Sequence, residues 1–282
     1  MMTDTMHMVP WLPIVRPVVA TALLVMLWSL ERVLPAFSGR KRRFDHAAHN
    51  LTLALLNAVV AAVIFGGALF AVTEWANQQS FGLLNWLRWP TWTEWLLALV
   101  LFDLWMYVWH VLNHKVPLLW RFHAVHHTDH ELDATSGVRF HTGEIVMSSL
   151  ARLAVLPLLG MSMSQLLLYE AIVLPVVLFH HSNFDIPPRL DATLRCIIPT
   201  PWMHWVHHSC LQPETDSNYG SGLSVWDRLF RTFRLREDPH QIELGLDVET
   251  DEAQWRTLPG MLAWPFRTTR RRQQPPKQPD HI

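Results

Sequence analysis

The sequence predicts an all-α, polytopic membrane protein: about four transmembrane or hairpin helices beneath a cytoplasmic, histidine-rich helical cap. Three observations carry that expectation. Half of the 282 residues are hydrophobic and only 17% are charged, against about 25% charged in a soluble domain. Long apolar runs recur as far as Phe179, several flanked by members of a set of 15 tryptophans, as expected where amphipathic rings sit at headgroup level. Twelve of the 17 histidines fall between His110 and His208, a clustering that singly solvated histidines would not produce. A formal net charge of −1 excludes bulk attraction to nucleic acid. Cys196 and Cys210 form no CxxC pair and are too few for a cysteine metal site.

Taken in order, Met1 to Pro10 lacks a basic start and a small-residue cleavage site, so the first apolar run, Pro17 to Leu34, is expected to be a retained anchor. Leu51 to Val72 offers 22 residues without a charge, about 33 Å of helix at ~1.5 Å per residue and enough for a ~30 Å hydrocarbon core. Arg40-Lys41-Arg42-Arg43 lies between these runs, whereas the next connection has Arg88 alone, which makes the first loop cytoplasmic. Trp86, Trp89, Trp92 and Trp95 crowd the start of a third span, Trp95 to Leu112. Ile145 to Phe179 is broken by Pro157 and Gly160, which predicts two half-length pieces of about 15 residues that return His180 and His181 to the cytoplasmic side. Three regions result: N-terminal membrane helices over 1–102, a metal-binding region with its membrane hairpin over 103–233, and a C-terminal segment over 234–282. Its last residues, from 267 on, are basic and Pro/Gln-rich, expected to be a mobile tail near anionic headgroups.

The histidines come in blocks: HVLNH from His110 to His114, HAVHH from His123 to His127, and HWVHH from His204 to His208. Residues three or four apart share a helix face, so each block aims imidazoles at a common point. His110, His114, His123, His126, His127, His204, His207 and His208 make eight candidates, and His181 and His141 extend the set. A structural zinc takes four ligands and a catalytic one three, so this number favours two metals; imidazole alone does not choose among zinc, copper and iron. Asp103, two helical turns before His110, is an intramembrane carboxylate. It either orients a ligating histidine from behind, caps a neighbouring helix or pairs with a basic group. Glu144 is a second carboxylate suited to a supporting position, and His180 is an extra imidazole beside His181. His130 has no motif partner and reads as a surface or supporting residue; His7, His46, His49, His240 and His281 read as solvated or interfacial.

The combined order resembles the fatty acid hydroxylase and sterol desaturase superfamily of integral-membrane, non-haem di-iron oxygenases. Asp103, Tyr107, His110 and His114 are similar to that family's first block. Arg139-Phe140-His141 with Glu144, and His181-Ser182-Asn183, resemble the elements that follow. Asn218-Tyr219-Gly220 and Trp226 to Phe230 resemble the segment trailing the third block. Val111 and Thr142 depart from an arginine and a proline common there. The resemblance implies two iron ions, for which zinc is a chemically acceptable substitute in a purified sample, and O2 as co-substrate. It also implies hydroxylation or desaturation at an unactivated C–H of a lipid. Neither a GxGxxG fingerprint nor a haem-binding HPGG occurs in the chain, so an external electron donor is expected, a cytochrome b5-like protein or a ferredoxin with its reductase. The expected location is a bacterial inner membrane, with the endoplasmic reticulum as the alternative. Two other classes compete: a histidine-rich metal transporter, whose ligands belong near the midplane of broken helices, and a b-type haem protein, which would use only one or two of these histidines.

Overall fold

The computed structural model describes residues 12–40, 42–86, 90–248 and 251–267. Lys41, Arg88 and Trp89 of the charge and tryptophan patterns, the tail from 268 on, His7 and His281 lie outside the described residues. The described chain is helical, with two isolated bridges, Pro35 to Phe184 and Ser209 to Leu244, and no strand.

Helix α1 (Leu12–Val33) is followed by α2 (Arg43–Val60), which runs through a π turn (Ala61–Phe65) directly into α3 (Gly66–Gln78). This composite is longer than the charge-free run at its centre. Its first turns carry Asn50 and Asn57, both buried, which bond Thr135 and the Phe140 carbonyl. After the short α4 (Leu83–Trp86), α5 (Thr91–Lys115) starts behind Pro90 and ends where Pro117 opens α6 (Pro117–His127). Proline suits that first position because its missing N–H would have no helical acceptor anyway.

The hairpin differs from the expectation of half-length pieces. Helix α7 (Thr142–Leu159) has 18 residues and α8 (Met163–His181) has 19, each apolar and long enough to cross a membrane. Pro157 lies inside the last turn of α7 without ending it; Gly160, at φ 74°, makes the left-handed stop. Ser162 and Gln165 then form a reciprocal cap that starts α8. A Cβ on Gly82 would sit 2.3 Å from the Gly160 nitrogen, so the α3–α4 turn packs backbone to backbone on this hairpin tip.

Beyond α8 the elements are short: α9 (Pro188–Leu194), α10 (Pro201–His207), α11 (Gln212–Thr215), α12 (Val225–Leu229), α13 (Glu252–Arg256) and α14 (Leu258–Ala263). Among the described residues four stretches, the composite from Arg43, α5, α7 and α8, meet the length and apolarity of a membrane span. Their outward faces are apolar and bare: Leu55, Val63, Leu96, Leu150, Leu158 and Ile172 are all exposed. In water such a surface would aggregate; against acyl chains it is at rest.

Two cores matter for the site. Phe102, Leu156, Met161, Leu166 and Tyr169 join α5, α7 and α8 within the membrane segment. Leu53, Ala124, Val125, Met261 and Trp264 clamp α6 between α2 and the C-terminal helices. Each fully buried apolar side chain such as Met261 contributes roughly 1.5–3 kcal/mol, so the C-terminal segment is a structural brace for α6.

Candidate metal centre

Helices α5, α6, α8 and α10 end at one place, and their last turns carry the histidines. Nine imidazoles form two groups: His110, His114, His123, His127 and His207 in the first, His126, His181, His204 and His208 in the second. Within each group the candidate ligand atoms lie within 4.8 Å of one another. The HxxHH spacing gains a geometric meaning here. On α6, His123 and His127 face the first group and His126 the second; on α10, His204 and His208 face the second and His207 the first. Each HxxHH block therefore serves both groups, in swapped roles. The groups adjoin, with the His127 and His208 rings stacked at 4.5 Å.

The hydrogen bonds test whether a metal fits. In the first group, His110 Nδ1 donates to the Tyr219 carbonyl at 2.8 Å, His123 Nδ1 pairs with Glu144 Oε1 at 2.9 Å, and His207 Nδ1 donates to the Ser217 carbonyl at 2.6 Å. A neutral imidazole has one N–H, so these outward bonds leave the inward Nε2 atoms as bare lone pairs. Those Nε2 atoms, both nitrogens of His127 and both of His114 are buried without a hydrogen-bond partner, although His114 Nδ1 lies 3.5 Å from Asp216 Oδ1. Unpaired buried polar atoms cost roughly 1–3 kcal/mol each, and five converging ones call for a cation.

The second group makes the point more sharply. His126 Nδ1 donates to the Arg139 carbonyl at 3.3 Å and His181 Nδ1 to the Val177 carbonyl at 2.7 Å. Their Nε2 atoms then confront each other, lone pair to lone pair, at 3.0 Å. His204 Nε2 lies 2.9 Å from His181 Nε2 and 3.1 Å from His208 Nε2. Protonation is no remedy: burial, reinforced by neighbouring imidazoles, holds His126, His127, His204 and His208 well below the usual histidine range. Burial likewise lowers His207 to about 3. Neutral, inward-facing imidazole is the form that ligates, and the residues fit a metal in each group.

The other expected site residues are elsewhere. His141 joins neither group. Its Nδ1 accepts from the Gly143 N–H at 2.8 Å, capping α7, and its Nε2 faces the Leu262 carbonyl at 3.2 Å, so both nitrogens are occupied. Asp103 does not orient His110. It accepts from Tyr169 Oη at 2.8 Å, Trp226 Nε1 at 2.7 Å and the Leu223 N–H at 3.1 Å, tying α5 to α8 and the loop before α12. The face it shares with His110 by spacing is real; its partners are not the imidazoles. Tyr107 bonds Thr232 at 2.8 Å and stacks on Phe230. Asn183 grips the backbone of Phe37, and Asn218 links the Met203 and Arg234 carbonyls. These three brace the loops behind the histidines.

Glu144 does support a ring, His123, and its other oxygen is buried and unpartnered. His180 packs its ring 4.1 Å from His204 and faces a cavity of about 150 Å³ beside both groups. His110, His123 and His204 line that cavity together with Met106, Ile145 and Val177.

His46, expected at the surface, is buried at 1% exposure between Asp129 and Asp133, at 3.0 and 3.2 Å. Burial alone would raise the Asp129 carboxyl; the charges of His46 and Arg139 outweigh it and hold that carboxyl well below its usual range. His130 is half-buried, with Nδ1 on the Leu244 carbonyl at 2.9 Å. The acceptors behind His110, His126, His181 and His207 are backbone carbonyls, for which a sequence has no signal.

Comparison with known proteins agrees with this geometry. The fatty acid hydroxylase family model matches residues 95–232. Ornithine lipid hydroxylase OlsE of Rhizobium tropici is 30% identical over 235 residues, 81% of this chain and 70% of that protein. Cholesterol 25-hydroxylase of Rattus norvegicus is 29% identical over 162 residues, 55% of this chain and 51% of its own. Human alkylglycerol monooxygenase is 24% identical over 235 residues, 81% of this chain and 48% of its own. The match thus spans about half the length of the latter two relatives. No solved structure matches. With every histidine of both groups inside the matched segment, and a relative similar along most of its length, the chain belongs to the fatty acid hydroxylase family.

Proposed function

We propose that this protein is a membrane-bound, O2-dependent oxidoreductase that hydroxylates or desaturates an unactivated C–H of a lipid, with two iron ions held by the two histidine groups. The observation that carries the reading is the set of bare, neutral imidazole nitrogens turned toward two centres beside a half-apolar cavity. Iron bound there supplies the one-electron chemistry with O2 that attack on such a C–H requires. The chain's own part is to hold and exclude. The carbonyls of Tyr219, Ser217, Arg139 and Val177 and the Glu144 carboxylate fix the ring orientations, so the ligands pay little reorganisation when the ions bind. Met106, Ile145 and Val177 give a methylene segment an apolar seat beside the histidines of the same cavity and keep water from it.

The relatives' names are those of lipid hydroxylases and a lipid monooxygenase, which supports a lipid as substrate here. The membrane-length helices support delivery of that lipid from the bilayer. Arg40 donates to the Leu132 carbonyl just beyond α6, so the basic loop lies at the histidine end of the bundle. By the positive-inside rule that end is cytoplasmic, which in a bacterium is the inner face of the inner membrane. Electrons then come from a cytoplasmic donor such as a ferredoxin or a b-type cytochrome. Expression in a heterologous host followed by lipid mass spectrometry tests the reading. A lipid species gaining one oxygen or losing two hydrogens is expected with the native chain and absent with His207→Ala; identical lipid profiles from the two strains would overturn it.

A further inference from the structure

A second cavity lies away from the histidines, between the end of α1 and the start of α2. It has a volume of about 570 Å³ and is lined by Trp28, Glu31, Arg32, Phe37, Arg40 and Arg43, a size common among small-ligand sites. Two of its groups are buried without a partner, Trp28 Nε1 and Arg40 Nη1. Both can only donate, so what they lack is an acceptor. The rest of the wall is already fixed. Glu31 accepts from the Ala134 and Asn183 N–H groups at 2.8 and 2.9 Å and pairs with Arg43 at 3.0 Å. Arg43 also lies over the Trp28 ring at 4.6 Å. Beside the Glu31–Arg43 pair, Arg32 and Arg40 bring further positive charge to the lining, with Asp133, Asp129 and Glu131 also near the Arg40 guanidinium.

The backbone adds to this. Arg43 opens α2, whose N-terminus has no side-chain cap, and with Arg43 and Phe44 in its lining the cleft borders those first N–H groups and the positive end of the helix dipole. The surroundings fix the level in the bilayer. Val25, Met26, Val33, Leu34 and Phe44 are exposed apolar side chains on the flanking turns, suited to acyl chains, while Arg32 and Arg40 stand where those chains give way to headgroups. Phe44 packs edge-on to Trp28 at 4.9 Å, an interfacial aromatic pair.

We propose that this cleft binds the phosphate of an anionic phospholipid headgroup, its oxygens accepting from Trp28, Arg40 and the free N–H groups of α2. The ligand chemistry is a phosphate mono- or diester anion; a free phosphate ion shares it, and the test separates the two. The site is independent of the metal centre, and its test reads neither metal nor oxidation.

Native mass spectrometry of the full-length protein, released from detergent holding equal amounts of phosphatidylglycerol and phosphatidylcholine, provides the measurement. The expected result is one phosphatidylglycerol retained in preference to phosphatidylcholine. Arg32→Gln alters an exposed side chain on the rim, so folding is not at stake. It should weaken retention about fivefold, the ~1 kcal/mol a basic residue near an anionic lipid contributes. Trp28→Phe keeps the ring, loses the donor and should weaken retention as well. Displacement of the lipid by inorganic phosphate marks a site that also takes the free anion; lipid retention that phosphate leaves untouched marks the headgroup as the ligand. Equal retention of both lipids, or of phosphatidylglycerol in the native, Arg32→Gln and Trp28→Phe proteins alike, would overturn the proposal.

Discussion

Two buried histidine environments occur in this protein, a single ring held by carboxylates and a cluster of nine, and they differ in one respect. His46 sits between Asp129 and Asp133 with both ring nitrogens paired, and Asp129 is further satisfied by Ser136 at 2.6 Å. Three residues before Asp129, His126 meets His181 with bare nitrogens turned on each other at 3.0 Å. Both regions exclude water equally well. Burial of a histidine is therefore no sign of a metal; an inward nitrogen with no proton donor facing it, behind an outward nitrogen that is satisfied, is the sign. Arg139 links the regions. Its carbonyl holds His126, while its guanidinium bonds the Val125 carbonyl at 3.1 Å, Thr128 at 2.8 Å and the Trp255 carbonyl.

The contrast can be broken from either side. The largest expected effect on activity is from His126→Ala or His207→Ala, each of which removes a ring from one group. Lipid oxidation should fall by more than the ~10–100-fold typical of residues that merely support a ligand, with thermal unfolding in detergent little changed; activity within twofold of native would show that these rings are structural. His46→Ala should do the reverse. It strands two buried carboxylates, and breaking a buried pair costs about 3–5 kcal/mol, so the melting temperature should drop by several degrees or the chain fail to accumulate. A native melting curve would mean that the His46 network contributes no stability.

Glu144→Gln sharpens the comparison, because it replaces the carboxylate behind His123 and leaves every ring in place. Metal affinity should fall ~10–100-fold in the first group, with the second unchanged; equal losses from both would show that the groups do not bind independently. A pH series on metal-stripped protein follows from the sign of the shift at His207, which burial lowers to about 3. Above the ordinary value of 6.5 neither folded nor unfolded chain binds a proton there, so stability is flat. As pH falls from 6.5 toward 3, the unfolded chain takes up protons that the folded one refuses, and stability declines. A melting temperature constant across that window would contradict burial of neutral rings. The smallest effect belongs to His240, which is exposed and bonds Asp185 at 3.1 Å: His240→Ala should change stability by less than about 0.5 kcal/mol, and a larger loss would show that surface histidines matter here too.

The sequence made the helices and most of the rings legible because both depend on local spacing. HxxxH and HxxHH on helices put His110 with His114 and His123 with His127 on shared faces without any tertiary knowledge, and apolar runs announce spans through their length. What it hid depends on contacts far along the chain. Asp103 has the right face for His110, yet Tyr169 and Trp226 claim it. His141 stands in a motif position, but helix α7 needs an N-cap and takes its Nδ1. His46 belongs to no block, and only the fold brings Asp129 and Asp133 to it. The hairpin helices are longer than their breakers suggest because Pro157 falls in a last turn, where its ring interrupts little, and Gly160 alone sets the stop.

Metal stoichiometry tests the central claim most directly. Full-length protein purified after growth in iron-replete medium should carry two iron ions per chain, falling to about one in His126→Ala and about one in His207→Ala, since those rings belong to different groups. Iron content near zero in the native protein, or unchanged in both variants, would contradict the account.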